Sequence, residues 1–346
     1  MLHHGKRTVI LLALLAAGAL VPLTATPGAA PAARVYVSNE RDGTVSTIDS
    51  ATDRVVATVK VGTRPRGLHA TADGRTLFVA TSDLDERKTG DADAIVAIDT
   101  ATSRITARHP AGSDPEEFAI SPDGRRLYAS NEDAGTATVY DVPSRKVIAT
   151  LVVGIEPEGV AISPDGRWVY VTAETSSTVS VIDTRVNRVV ANFLVDVRPR
   201  GAAFAPDGAR AYVTAEIGGT VAVVDVARHE VIDTIDLDKR RAKPVGVVVS
   251  PDSRRVYVAN GRGNSVSVID AEAGREVKVI QVGRRPWGIG LTPDGRKLYT
   301  ANGLSNDVSV IDTASDEVVA TVRTGIGPWG IGVAGAGPTA AGVRRR

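Results

Sequence analysis

The chain contains no cysteine. That excludes disulfides, a thiolate nucleophile, Cys-ligated metals and a lipid anchor after the leader. It has almost no net charge, +1 at pH 7, so nothing marks a nucleic-acid surface. P-loop, dinucleotide-binding, G-x-S-x-G, H-E-x-x-H and C-x-x-C-H patterns are all missing. No window reads as a helix, and the apolar run Val9 to Leu20 is too short for a comfortable membrane span.

What is present begins with a processing segment. Lys6 and Arg7 precede that apolar run, and Ala30-Pro31-Ala32 offers an A-x-A cleavage site. Residues 1–33 therefore read as a secretory signal peptide cleaved near Ala32, which places the mature chain in the periplasm or outside the cell. Residues 335–346 lack apolar periodicity and read as a flexible tail.

Between them a single pattern recurs. Its clearest copy runs from Pro157 to Arg198 and holds four short runs rich in Val, Ile and Tyr: GVAIS, WVYVTA, TVSVID and RVVANFLV. Turn residues separate them, the sequence form of four antiparallel strands. SPDG supplies Pro and Asp at the front of a turn and Gly where a positive φ is needed, and the Asp closing VID caps the next turn. The repeat proline falls at Pro65, Pro115, Pro157, Pro199, Pro244, Pro286 and Pro328, at intervals of 42 to 50 residues. Seven four-stranded units of this length predict an all-β fold, a seven-bladed β-propeller over residues 34–334. The mature chain starts at a second strand, Arg34-Val35-Tyr36-Val37, and finishes at a first, Trp329 to Val333. The C-terminal strand is thus expected to join the N-terminal blade and close the ring, leaving no open edge.

The segments YVTAETSSTVSVIDT, VVATVKVG and PEGVAISPDG resemble the YVTN-repeat propellers across residues 34–334. A narrower set, including VSNERDGTVSTIDS, GSDPEEFAISPDG and AEIGGTVAVVD, resembles the secreted propellers associated with PQQ-dependent alcohol catabolism. That resemblance implies a non-enzymatic companion of a periplasmic quinoprotein dehydrogenase or transport component, without a cofactor of its own. The DLDERKTGDAD segment after Ser82 and the short DKRRAK segment before Pro244 depart from that pattern.

Strand alternation sorts the loops. SPDG turns and the turns after VID share one face and hardly vary; the Pro-x-Gly entries and the loops after second strands share the other. Both length changes fall on this second face, where repeat proteins concentrate binding. Its candidate residues are Arg64, Arg66, Glu116, Glu117, Glu132, Glu158, Glu174, Arg198, Arg200, Trp287 and Trp329. They suggest a channel mouth with an acidic arc flanked by arginines, opposite an aromatic arc. Either the charges are exposed rim ion pairs, or an amphipathic small ligand lies across the mouth, stacked on indole. Glu117 stands where the other copies have Gly. His69, where others are small, reads as a base, a haem ligand or, as the plainer alternative, a packing residue. His109 and His229 read as exposed. The carboxylates between Asp83 and Asp93 lack EF-hand spacing and read as a solvated loop.

Three functions remain open from sequence. The first is a secreted, monomeric, non-catalytic binder of a protein or small ligand, with no catalytic residue and no metal. The second is a propeller enzyme of the lactonase type, drawing on Glu116, Glu158, His69 and Arg66. The third is a haem- or quinone-binding redox propeller, which the scarcity of His weakens.

Overall fold

The computed structural model describes residues 1–2, 32–83, 92–238 and 241–335. The chain divides after Pro31, and everything below concerns the unit from Ala32 onward. The expected leader before Ala32, most of the insertion after Asp83 and the tail beyond Gly335 lie outside the described residues.

Seven antiparallel sheets of four strands form the seven blades of a β-propeller. The first blade is composite. Its inner strand Pro328–Ala334 pairs with Arg34–Asn39, followed by Thr44–Asp49 and Arg54–Lys60. The later blades follow chain order, from inner strands Leu68–Ala70, Pro115–Ile120, Pro157–Ile162, Pro199–Phe204, Pro244–Val249 and Pro286–Leu291 outward. The closure expected from the sequence is therefore present. Across its seam, Lys297 Nζ and the Tyr299 hydroxyl both donate to the Asp53 carboxylate, at 2.7 and 2.9 Å.

The core lies between blades. Tyr299, Ala301, Val308 and Val310 of the seventh blade pack against Val35, Val37 and Ile48 of the first. Each apolar side chain buried in this way contributes roughly 1.5–3 kcal/mol, so a blade gains its stability only from its neighbours. The invariable face is built as its sequence implies. In the fourth blade Gly166 takes φ 72°, while Ser163 Oγ and the Arg167 N–H donate to Asp165 at 2.5 and 3.0 Å. Asp141 and Asp99 cap the turns that follow them, accepting from the N–H groups of Ser144 and Thr102.

The inner strands converge closely. A Cβ on Gly159 would stand 2.1 Å from the Arg200 carbonyl oxygen, and one on Gly201 2.5 Å from that of Val245. Only glycine admits such contacts. Hydroxyls on the second strands fasten the same carbonyls: Ser130 donates to Glu158 O at 2.7 Å and Thr172 to Arg200 O at 2.9 Å. These clasps hold each residue that follows a repeat proline at the channel mouth.

Candidate active site

The residue before each repeat proline adopts a left-handed conformation. Arg64, Asp114, Glu156, Arg198, Lys243 and Arg285 have φ between 39° and 66°, and Gly327 has 68°. For L-residues this costs on the order of 1 kcal/mol each. The geometry is put to use. Its carbonyl accepts the N–H of the loop residue after the second strand, as in Glu174 to Glu156 at 2.9 Å, Glu216 to Arg198 at 2.8 Å and Glu132 to Asp114 at 3.2 Å. Two sets of charged side chains are thereby brought to the same mouth.

Glu40, Arg64, Arg66, Glu116, Glu132, Glu158, Arg198, Arg200, Trp287 and Trp329 line one cavity of about 220 Å³. Glu174 joins it through ion pairs with Arg198 and Arg200. Glu117 does not: its carboxylate lies farther down the channel, 2.9 Å from His69 Nε2.

The expected exposed rim pairs are in fact a buried network. Arg200 is flanked by Glu158, Glu174 and Glu216. Arg66 pairs with Glu40 and Glu116, and Arg64 with Asp114; Glu116 is fully buried. Acidic and aromatic arcs are not separate either. The rings of Trp287 and Trp329 stack with centroids 6.3 Å apart. Arg200 lies over Trp287 at 5.4 Å and Arg66 over Trp329 at 5.8 Å, so guanidiniums bridge acids and indoles.

One acid escapes this pairing. Loop glutamates after the second strand reach toward the residues flanking the next blade's proline in two blades. Glu40 meets Arg64 and Arg66, and Glu174 meets Arg198 and Arg200. Glu132 reaches toward Glu156-Pro157-Glu158, where no cation stands, and forms no ion pair among the described residues. Burial pushes its carboxyl up to about 7, the Glu158 charge pushes the same way, and Arg66 and Arg200 oppose only in part. A half-buried carboxyl that exchanges its proton near neutrality, beside arginines, is suited to general base catalysis. The signal was available as the run of residues around the prolines, R-P-R, D-P-E, E-P-E, R-P-R.

A metal or haem fits less well. Carboxylate oxygens of Asp114, Glu116 and Glu132 lie within 4.8 Å of one another, but Arg64 and Arg66 already neutralise the first two. His69 is the one imidazole lining the described channel. It is neither a packed residue nor free, but half-exposed and bonded to Glu117. His109, expected to be exposed, is 3% exposed and shares a 2.8 Å hydrogen bond with the Tyr140 hydroxyl. It occupies the inward position of an outer strand that Ile235, Ile280 and Val322 fill elsewhere. His229 is half-buried, sharing a hydrogen bond with Tyr170.

The family described as "Lactonase, 7-bladed beta-propeller" matches residues 188–321, and the "Cytochrome D1 heme domain" matches residues 86–194. No curated protein matches the chain in sequence. Among solved structures, a candidate 6-phosphogluconolactonase from Bacteroides fragilis is 19% identical with a TM-score of 0.73, covering 88% of this chain and 98% of its own. A second, from Bacteroides uniformis, is 17% identical with a TM-score of 0.73, covering 88% and 99%. Hydrazine synthase from Kuenenia stuttgartiensis is 22% identical with a TM-score of 0.71, covering 86% and 99%. At these identities the structures establish the shared fold. The lactonase match over residues 188–321 corrects the expectation of a non-catalytic binding propeller and turns the reading toward a hydrolase.

Proposed function

We propose that this seven-bladed β-propeller is a lactone hydrolase whose site is the channel mouth on the variable-loop face. The observation that carries it is Glu132, the one glutamate lining the mouth cavity without an ion pair among the described residues, poised by burial to take up or release a proton near pH 7. Of the residues the sequence nominated for this chemistry, Glu116 and Glu158 are tied to Arg66 and Arg200, and His69 to Glu117. Glu132 replaces them as the base.

The chemistry balances with water as the only co-reactant. Glu132 accepts a proton from a water whose oxygen bonds to the lactone carbonyl carbon. Arg66 and Arg200, with five N–H donors each, stabilise the charge that develops on the carbonyl oxygen. The ring C–O bond breaks, the ring oxygen takes the proton held by Glu132, and the hydroxy acid leaves as its carboxylate, releasing one proton to solvent. Trp287 and Trp329 present flat faces for the ring to lie against. The repeat motifs support a narrower placement among YVTN propellers, and the leader supports a site of action outside the cytoplasm.

Proton release from a panel of γ- and δ-lactones tests the reading. Turnover by the wild type and its loss in Glu132→Gln is the expected result; equal turnover by the two proteins would sink it.

A further inference from the structure

Below the mouth a cavity of about 370 Å³ continues between the inner strands, from Glu158, Arg200 and the Trp pair down to Val248, Leu291 and Val333. That is a size typical of small-molecule sites, roughly 300–1,000 Å³. Its wall is aliphatic side chains and glycine backbone. Beneath the mouth its only polar side chains, among the described residues, are His69 and Glu117, and each is the other's partner. Phe118 packs edge-on against the His69 ring, with centroids 5.1 Å apart. The mouth above holds eight carboxylates (Glu40, Asp114, Glu116, Glu132, Glu156, Glu158, Glu174, Glu216) against five guanidiniums (Arg64, Arg66, Arg198, Arg200, Arg285) and the Lys243 ammonium. Every one of those arginines is already ion-paired. A phosphorylated or otherwise anionic lactone would enter an excess of negative charge, with every arginine committed and only Lys243 of the mouth cations without an ion pair among the described residues. A neutral ring with an apolar tail meets no such cost.

Resting on the hydrolase reading, we propose that the substrate is an uncharged lactone bearing an alkyl or acyl chain. The ring lies between Glu132 and the Trp pair, and the chain runs down the channel along Ala202, Val248 and Leu291. Specificity then resides in the tail. Each additional buried methylene should raise kcat/KM about fourfold until the channel is filled.

The test compares δ-valerolactone, δ-decalactone and δ-dodecalactone, with 6-phosphogluconolactone as the anionic competitor. Turnover is followed by proton release and binding by tryptophan emission. Two channel-filling variants, Val248→Trp and Ala202→Phe, are measured beside the wild type. A steep rise of kcat/KM with chain length that flattens in either folded variant supports the proposal. A flat chain-length response in the wild type, or preference for the phosphorylated lactone, overturns it while leaving the hydrolase reading intact. If no lactone is turned over yet δ-dodecalactone shifts wild-type emission and not that of Val248→Trp, the channel assignment stands and the hydrolase reading falls. Neither turnover nor an emission shift overturns both.

Discussion

Glu132 and Glu158 stand at the channel mouth as like charges, where the corresponding Glu174 of the next blade is met by Arg198 and Arg200. The Glu158 charge is, after burial, the main reason the Glu132 carboxyl is pushed up to about 7. Glu158→Gln removes that charge and frees Arg200 from one partner, and both effects favour ionised Glu132. The acid limb of the kcat/KM profile is therefore predicted to move to lower pH. A limb that stays near pH 7 would show that Glu132 is not the titrating base.

The same shift has a stability consequence. Glu132 holds its proton to higher pH in the folded chain than in the unfolded one, so folding takes up a proton. The stability linked to that proton is present in acid, below the ordinary carboxylate range, and is lost as pH rises through about 7. Glu132→Gln should therefore melt with the wild type at pH 4 but above it at pH 8, while kcat falls by roughly 10²–10⁴. A melting difference of the same size at both pH values would remove the linkage.

Much of this was written in the repeat. The Pro, SPDG and VID positions fixed strand number, turn geometry and ring closure because each is a local backbone requirement, met within a few residues. The gathering of charged and Trp side chains on one face was legible too, from where the repeat varies. Pairing was not, since Arg200 meets glutamates from two blades, its own and the preceding one, whose relative positions are set by the ring and not by neighbouring sequence. The left-handed residues before the prolines escaped notice because Arg, Lys and Glu stand where Gly or Asn would announce that conformation. His109 reads from sequence as an outer-turn residue because Pro110 and Gly112 follow it, although its strand position matches buried Ile235 and Ile280.

Lys243 isolates the cost of that conformation, with φ 52° and only a long 3.5 Å contact from its ammonium to Ile217 O. Lys243→Gly exchanges left-handed strain for chain entropy and is predicted to be neutral or to stabilise by up to about 1 kcal/mol. Lys243→Val adds a β-branched side chain to the same φ and should cost about 1–2 kcal/mol. Denaturant midpoints for the pair measure this; equal midpoints would mean that the loop relaxes freely.

The tryptophans should matter for the site more than for the ring. Each is only half-buried and stacked on the other, with Arg200 and Arg285 against Trp287 and Arg66 against Trp329. Trp287→Ala and Trp329→Ala remove a stacking surface and a cation–π partner, worth together about 1–2 kcal/mol. Each should lower kcat/KM about tenfold with melting temperatures within a few degrees of wild type. Full activity with both rings removed would rule out stacking in the mouth.

Arg200 is where site and ring depend on one side chain. Its guanidinium is nearly buried and serves Glu158, Glu174 and Glu216 at once. Truncation to Arg200→Met leaves three carboxylates facing one another with Arg198 and Arg285 as the remaining cations. Removing one partner from a buried charge network typically costs about 3–5 kcal/mol, because the survivors stay desolvated and uncompensated. Lysine keeps the charge but not the planar fork that reaches several carboxylates, so Arg200→Lys should recover only part of the loss. The deficit has a direction in pH: acidification protonates the stranded carboxylates, so the gap between Arg200→Met and wild type should narrow between pH 7 and pH 4. Urea unfolding at both pH values measures it. A gap independent of pH would mean that Arg200 acts through packing on Trp287 and not through charge.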